Sequence, residues 1–478
     1  MGHIHGANRH EELQFPQRLD DYIAADNPVR FIDAFVDELD LAALGFRHVV
    51  ATATGRPSYQ PGDLLKLYIY GYLYRLRSSR RLEQEIQRNV ELMWLLKKLR
   101  PDHKTIANFR RDHLQPLREV CRTFTLLCKK LDLFGGELVA IDGSKFRAVN
   151  AKRRNFTKAK LEQGIAQIDA RVEGYLKELE AADAQDEAGT PGGARAADLQ
   201  TKITALRERQ LRYKDLQAEL ECRGHDQLSL ADPDSRSMKE GTSGGTAVCS
   251  NVQTAVDAKH KLIVACDVTN DPTDRDWLSP MAVAAQAVLS GPFDAVADMG
   301  YYHGQEVKQC LQGGITPYIA RPSTSANRKL GLFSKDDFTY EATTDTYRCP
   351  AGAVLSFRFD TIELGRHIRY YATSACRPCP LKAQCTRNTG GRRITRWVDE
   401  HLLEQMAQRV HARPEIMQQR KEIVEHPFGT MKRSWHQGYF LMRGLAKVRT
   451  EFSLTGLAYN LRRVLNLVDM PRLLARLS

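Results

Sequence analysis

The chain has 478 residues, 42% hydrophobic and 27% charged, with a net charge of +12. At roughly 150 residues per domain this predicts several units rather than one core, and the balance excludes a disordered polyelectrolyte. No run approaches the roughly 20 apolar residues that a spanning helix needs, and Met1 to Gln14 carry no apolar signal-type segment, so a cytoplasmic protein with no membrane partner is expected.

Residues 1–134 read as a helical unit. "NPVRFIDAFVDELDL", "QPGDLLKLYIYGYLYRLRSS", "RRLEQEIQRNVELMWLLKKL" and "HKTIANFRRDHLQPLREVCRTFTLLCKKL" place apolar residues three and four apart, and Pro28, Pro61 and Pro101 fall at or near helix starts. The arginines of "SSRR" and "FRR" suit either a DNA groove or a solvated face.

The period changes at "GELVAIDGSKFRAV", read as a strand ending at Asp142-Gly143. "NVQTAVDAKHKLIVACDV" predicts a hairpin turning at "DAKHK". A helix over "DWLSPMAVAAQAVL", a strand "FDAVAD" ending at Asp298, a helix "GQEVKQCLQ" and a strand "TPYIA" follow. This is an α/β unit over residues 135–321. It is interrupted at 156–222 by two long amphipathic helices joined by the polar turn "DAQDEAGTPGGARA", a helical hairpin.

Residues 322–400 form a second insertion, and 401–478 close the chain with basic helices. From Thr386 to Ser478 there are 17 Lys+Arg against 8 Asp+Glu, so most of the surplus positive charge lies there. A pI near 9.2 fits a polyanionic partner.

Of ten cysteines, Cys121, Cys128, Cys222, Cys249, Cys266 and Cys310 are scattered. Cys349, Cys376, Cys379 and Cys385 cluster within 322–400. A CxxC with two further cysteines nearby matches a four-thiolate zinc site; free thiols are the alternative.

Three acids stand at informative places: Asp142 and Asp298 at strand ends, Glu425 in "VEHPFGTMKRSWHQGYF". Alone, each also suits a turn, a cap or a solvated helix. Together they fit one fold. The order strand, hairpin, helix, strand, helix, strand, helix is that of an RNase H-like mixed sheet flanked by helices, whose first and fourth strands are neighbours. Three converging carboxylates repel unless cations neutralise them, which suits Mg²⁺ or Mn²⁺. Lys432 follows Glu425 by nearly two helical turns, on the same face. Pro427 predicts a kink, or a helix beginning near Glu425. Trp435 suits either stacking on an unpaired base or a place in the core.

The sequence resembles bacterial insertion-sequence transposases of the DDE class over nearly its whole length, in "GRPSYQPGDLLKLYIYGYLYRLRSSRRLEQEIQRNVELMWLL", "PDHKTIANFRRDH", "AIDGSKFRAVNA", "NVQTAVDAKHKLIVACDVTNDPTDRDWL", "ADMGYYHG" and "VEHPFGTMK". The resemblance implies Asp142, Asp298 and Glu425 as a metal-binding catalytic triad, with Lys432 as the basic residue beyond the glutamate. Related transposases carry Arg four residues before that Glu. Here Lys421 stands there, with Arg420 preceding it, which leaves open which of the two meets phosphate. Arg433 and Trp435 complete the expected DNA-contacting set. The resemblance further implies a DNA-binding helical N-terminal domain, two Mg²⁺ (or Mn²⁺) per active site, one structural Zn²⁺, double-stranded DNA at transposon ends and target, a homodimer in the synaptic complex, and a nucleoid-associated location. A transposase-derived DNA-binding protein without catalysis and a stand-alone metal nuclease are the rival readings.

Overall fold

The computed structural model describes residues 18–50, 57–150, 154–186, 193–224, 226–240, 245–322 and 326–477. The start of the chain, read above for a signal segment, and residues 187–192 of the turn inside the helical hairpin lie outside the described residues; the rest of that turn continues the two helices.

Six helices come first: α1 (Pro28–Asp37), α2 (Pro61–Leu73), α3 (Ser79–Ile86), α4 (Val90–Leu95), α5 (His103–Asp112) and α6 (Leu114–Lys130). Their starts follow local chemistry. Asn27, Asn89 and Asp102 accept hydrogen bonds from backbone N–H groups of the first turns of α1, α4 and α5, satisfying donors a helix start leaves bare. Helix α2 is apolar almost all round and is buried on nearly every side. Its buried Lys66 sits 2.6 Å from both Asp33 and Asp37 of α1.

The central sheet begins with β1 (Leu138–Arg147), followed by β2 (Asn155–Thr157), α7 (Lys158–Asp186), α8 (Gly193–Arg223), β3 (Gln227–Ser229), β4 (Arg236–Glu240), β5 (Gly245–Asp257), β6 (Ile263–Thr269), α9 (Leu278–Leu289), β7 (Asp294–Ala297), α10 (Gly304–Gln312) and β8 (Thr316–Ile319). The order runs β5-β1-β7-β8, with β4 and β6 both paired to β5. Strand β1 is antiparallel to β5 and parallel to β7, and β7 is parallel to β8. The chain therefore carries the mixed sheet flanked by helices that an RNase H-like core requires, beside a helical N-terminal region.

Helices α7 and α8 run antiparallel from the small β2–β3 ribbon. Tyr213 covers Gly164, where a methyl group would meet its ring at 2.7 Å, and Gln210 hydrogen-bonds Asp169 across the pair.

After β8 come α11 (Ala326–Lys329), β9 (Thr339–Glu341), β10 (Thr346–Arg348), β11 (Val354–Glu363), β12 (Arg366–Ala372), α12 (Lys382–Cys385) and β13 (Arg393–Trp397). The strands form a second, antiparallel sheet in the order β13-β12-β11-β10-β9. A small core of Phe338, Tyr347, Leu355, Tyr371 and Ile394 holds it. The chain ends with α13 (Glu400–Ala412), α14 (Glu415–Gly429), α15 (Leu445–Leu467) and α16 (Met470–Ala475). Among the described residues no helix is long and apolar enough to cross a membrane.

One continuous core joins the first helices to the sheet, and buried α15 lies at its centre. Glu451 of α15 is fully buried. Its carboxylate accepts from the backbone N–H groups of Leu441 (2.9 Å) and Met442 (2.9 Å) and lies 3.3 Å from the Arg77 guanidinium. Burial nevertheless holds its carboxyl above the usual range. Arg77 also donates to the Tyr439 carbonyl at 3.0 Å, so one ion pair ties the N-terminal helices to the segment following α14. Glu451→Ala strands a buried cation and two backbone donors, so it should cost about 3–5 kcal/mol. Urea unfolding checks this: a midpoint equal to wild type would contradict the role, whereas Arg77→Met/Glu451→Leu together should recover much of the loss.

Candidate active site

Strand β1 does not stop at Gly143. It continues to Arg147, paired to β5 through Arg147 and Cys249, because Gly143 sits in register with Gln253 instead of turning the chain. Pairing with β7 ends earlier, at Ala140 opposite Val296. Extending that register by two residues sets Asp142 opposite Asp298, at the carboxyl ends of a parallel pair where open sheets leave a crevice. Asp298 caps the short turn Met299–Tyr301, accepting from Gly300 N–H at 2.8 Å.

Asp142 is largely enclosed, with 22% of its side chain exposed, and Arg420 of α14 approaches to 3.5 Å. Burial pushes its carboxyl up to about 7; Arg420 opposes this, while the charges of Asp298 and Asp274 add to it. The Tyr301 phenol is held far above its usual value by burial and by the same three carboxylates.

Asp274, in the loop between β6 and α9, was not singled out from the sequence. Its Oδ1 accepts from Asn251 Nδ2 (2.6 Å) and Gln253 Nε2 (2.7 Å) and lies 3.3 Å from Lys145 Nζ. A methyl on Gly143 would overlap this carboxylate. The signal available in sequence was "TNDPTDRDW", but three acids crowd that stretch, and spacing does not separate Asp274 from Asp271 and Asp276.

Three clustered carboxylates offer hard oxygen donors of the kind that divalent cations take. A methyl on Gly300 would lie 2.9 Å from Asp298 Oδ1 and 3.9 Å from Asp274 Oδ2, so both carboxylates border one small space beside the bare glycine backbone. Among the described residues no three ligand oxygens of Asp142, Asp274, Asp298 and Glu425 lie within 4.8 Å of one another, so the acids gather here without closing a three-oxygen cage.

Glu425 lies on α14, and its exposed carboxylate has no hydrogen-bond or ion-pair partner among the described residues. The helix begins at Glu415, so of the two outcomes that Pro427 left open, a kink or a start near Glu425, the second does not occur. Pro427 is accommodated inside it, and the helix then widens into a π turn over Thr430–Ser434. Arg420 reaches Asp142, and Lys432 reaches Ser144 Oγ (2.5 Å) and the Lys145 carbonyl (2.7 Å), so Glu425 lies between two contacts that hold this segment along β1.

The expected DNA-contacting residues divide. Lys421 and Arg433 are exposed. Arg420 and Lys432 are turned toward β1 in the contacts just given. Trp435 requires a correction: at 6% exposure it is a core residue, its ring centroid 6.5 Å from that of Tyr459. An indole covered by α15 presents no face to a base.

Cys349, Cys376, Cys379 and Cys385 line one small cavity together with Phe338 and Leu355. Burial raises the Cys385 thiol; Arg392 opposes this, and the other three sulfurs add to it. Gly391, at φ +101°, permits the approach, since a methyl there would lie 2.7 Å from Cys376 Cβ. Among the described residues no three of these sulfurs lie within 4.8 Å of one another, whereas ligand atoms of Asp276, His303 and Glu306 do. Glu306 is already engaged with the Ser279 N–H at 2.9 Å.

Comparison with known proteins gives two family matches. Residues 17–112 match the family described as Transposase domain (DUF772), and residues 348–465 match the family described as Transposase DDE domain. No curated protein matches the sequence. A solved piggyBac transposase synaptic complex with hairpin DNA aligns at 10% identity over 95% of this chain and 79% of that one, with a TM-score of 0.31, too low to carry weight.

Proposed function

We propose that this chain, a transposase of the DDE class by the two domain families it matches, binds the terminal inverted repeats of its own insertion sequence, cleaves DNA there, and transfers the freed 3′-OH ends to target DNA. The observation that carries the reading is the register that sets Asp142 opposite Asp298, with α14 bringing Glu425 along the same strand. Bound divalent ions, two in the full site, would supply activation of a water or hydroxyl and stabilisation of the leaving oxygen.

The protein's own groups prepare that chemistry. Asp142, Asp298 and Glu425 would hold the ions. Arg420 offsets the charge of Asp142, and Lys432 fastens the end of the α14 segment to β1 so that Glu425 keeps its place. Lys421 and Arg433 are the exposed cations suited to DNA phosphates. The four cysteines would hold one structural zinc, and a homodimer would bring two transposon ends together.

The direct test uses the DNA flanking the gene. Short inverted repeats bounded by a direct duplication should be present, and purified protein with Mg²⁺ should cut at their outer ends and join them to a second DNA. Cutting without joining would leave a nuclease; neither activity would leave a DNA-binding derivative.

The division among the basic residues has its own outcome. Lys421→Gln with Arg433→Gln should weaken end binding and flatten its log–log salt dependence by about two units, since each neutralised phosphate releases close to one counterion. Lys432→Gln should lower the melting temperature and leave that slope unchanged. Equal slopes for both variants would refute the division.

A further inference from the structure

We propose that the turn joining β11 to β12 is a DNA wedge: Leu364 enters the base stack of the transposon end, while Arg358 and Arg366 hold neighbouring phosphates. The inference rests on the end-binding reading above and names a contact outside the acids and the N-terminal helices.

Leu364 is an unfavourable residue for its place on two counts. It is 91% exposed in a two-residue turn, and its φ of +47°, followed by +75° at Gly365, lies in the left-handed region. Turns with both central residues there favour Asn or Asp before Gly, and a bulky side chain is strained in that conformation. Asparagine would remove the strain and the bare apolar surface together. Ile362, two residues earlier, is 75% exposed, so apolar surface gathers at the tip.

The strand leading to the tip is open along one edge. β10 pairs with β11 only over residues 354–356, whereas β12 pairs with it as far as Glu363. Residues 357–363 therefore have no strand on their other side among the described residues, and the rings of Phe357 and Phe359 are exposed there. Phe359 stacks on Tyr370 across the pair with centroids 4.7 Å apart, which stiffens the ribbon. A two-stranded ribbon is narrow enough for a DNA groove.

Charge selects DNA, rather than a second protein surface, as what covers this tip. Residues 346–397 carry 10 Lys+Arg against 2 Asp+Glu, a surplus of 8 out of the +12 of the whole chain. Both acids are occupied: Asp360 lies 2.6 Å from His367 Nε2, and Glu363 accepts from the Tyr370 hydroxyl. Arg369 pairs with Asp345 at 3.1 Å, whereas Arg358 and Arg366 have no carboxylate in ion-pair reach among the described residues. Apolar side chains accompanied by arginines are what enter duplex DNA and unstack a base step. The tip also lies toward the proposed site. Burial holds the imidazole of His303, five residues beyond Asp298, below its usual value; Arg275 and Arg366 add to this, and Asp276 opposes it. A transposon end held for cleavage passes close to the turn.

The test places 2-aminopurine at each of the outermost steps of an inverted-repeat duplex and reads its fluorescence as full-length protein binds without metal. The signal should rise at one step with wild type and stay flat with Leu364→Asn. End binding by that variant should weaken roughly tenfold, the lower end of what burying one leucine side chain supplies. Leu364→Asn should melt no lower than wild type, because asparagine suits the turn, so misfolding does not explain the loss. Leu364→Met should keep the signal. Arg358→Gln with Arg366→Gln should flatten the log–log salt dependence of end binding by about two units, a slope that Leu364→Asn leaves unchanged.

A rise with Leu364→Asn equal to wild type, or an equal rise on an unrelated duplex, would overturn the assignment. So would an altered oligomeric state in Leu364→Asn with unstacking intact, which makes the tip a contact between copies. If wild type binds the inverted repeat without unstacking any step, the wedge alone is refuted. If wild type does not bind the inverted repeat at all, the end-binding reading falls as well.

Discussion

Asp142→Ala, Asp298→Ala and Glu425→Ala are each expected to abolish strand cleavage in Mg²⁺ or Mn²⁺, with end binding close to wild type. The reason is positional. Asp142, midway along β1, lies opposite Asp298, just past β7, where the parallel pairing of the two strands gives out, and Asp142 meets Arg420 there rather than an exposed basic surface. If these acids hold cations as proposed, removing one carboxylate removes hard donor oxygens and leaves the exposed cations Lys421 and Arg433 in place. Removing Asp142 also relieves a buried acid, so that variant should fold at least as stably as the metal-free parent. Gel-shift binding to transposon ends, run beside a cleavage assay, separates the two effects. A variant that cuts at near wild-type rate would remove its residue from the triad, and one that loses binding and cleavage together would point to a collapsed site.

The second large effect is expected from the cysteine-rich sheet. Purified protein should hold about one zinc per chain, and Cys379→Ser with Cys385→Ser should release it, since two thiolates do not complete a tetrahedral site. Structural zinc in small domains contributes roughly 10–16 kcal/mol. Here the five-residue core around Tyr347 and Tyr371 carries part of the stability, so loosening confined to the sheet is expected rather than global unfolding. Hydrogen exchange over 339–397 should rise in the double variant while β1, β5 and β7 stay protected. The effect should reach α13, because Arg396 of β13 pairs with Glu404, with a 2.8 Å bond between Nη2 and Oε2. Trp397 packs against Gly304, where a methyl would come within 2.8 Å of its ring. Elemental analysis showing unchanged zinc in the double variant would reject the site.

Much of the central sheet was legible in the sequence, because its signals are local. The apolar run before Asp142, the hairpin turning before Ile263, the helix Gly304–Gln312 and the strand Thr316–Ile319 each carry their periodicity within a dozen residues. The acids at the ends of such runs stood out as candidates from spacing, and the family resemblance singled out Asp142, Asp298 and Glu425 among them. Spacing also showed the clustering of Cys349, Cys376, Cys379 and Cys385, which the fold gathers around one cavity.

What only the tertiary structure decided depends on partners far along the chain. Gly143 looked like the end of a strand; its role is to let Asp274, 131 positions later, come against β1. Trp435 was placed in the DNA-contacting set although a core position was the better reading of its residue type, and the packing of α15 over it decides for the core. Lys432 looked like a phosphate contact, and its ammonium is engaged 288 residues away, on Ser144. Asp274 had no distinguishing neighbour in sequence, because the amides that orient it stand on another strand. Helix and strand formation are set chiefly by neighbours within a turn or a pleat. The direction of a charged or aromatic side chain is set by whatever the folded chain leaves beside it, and no local pattern encodes that.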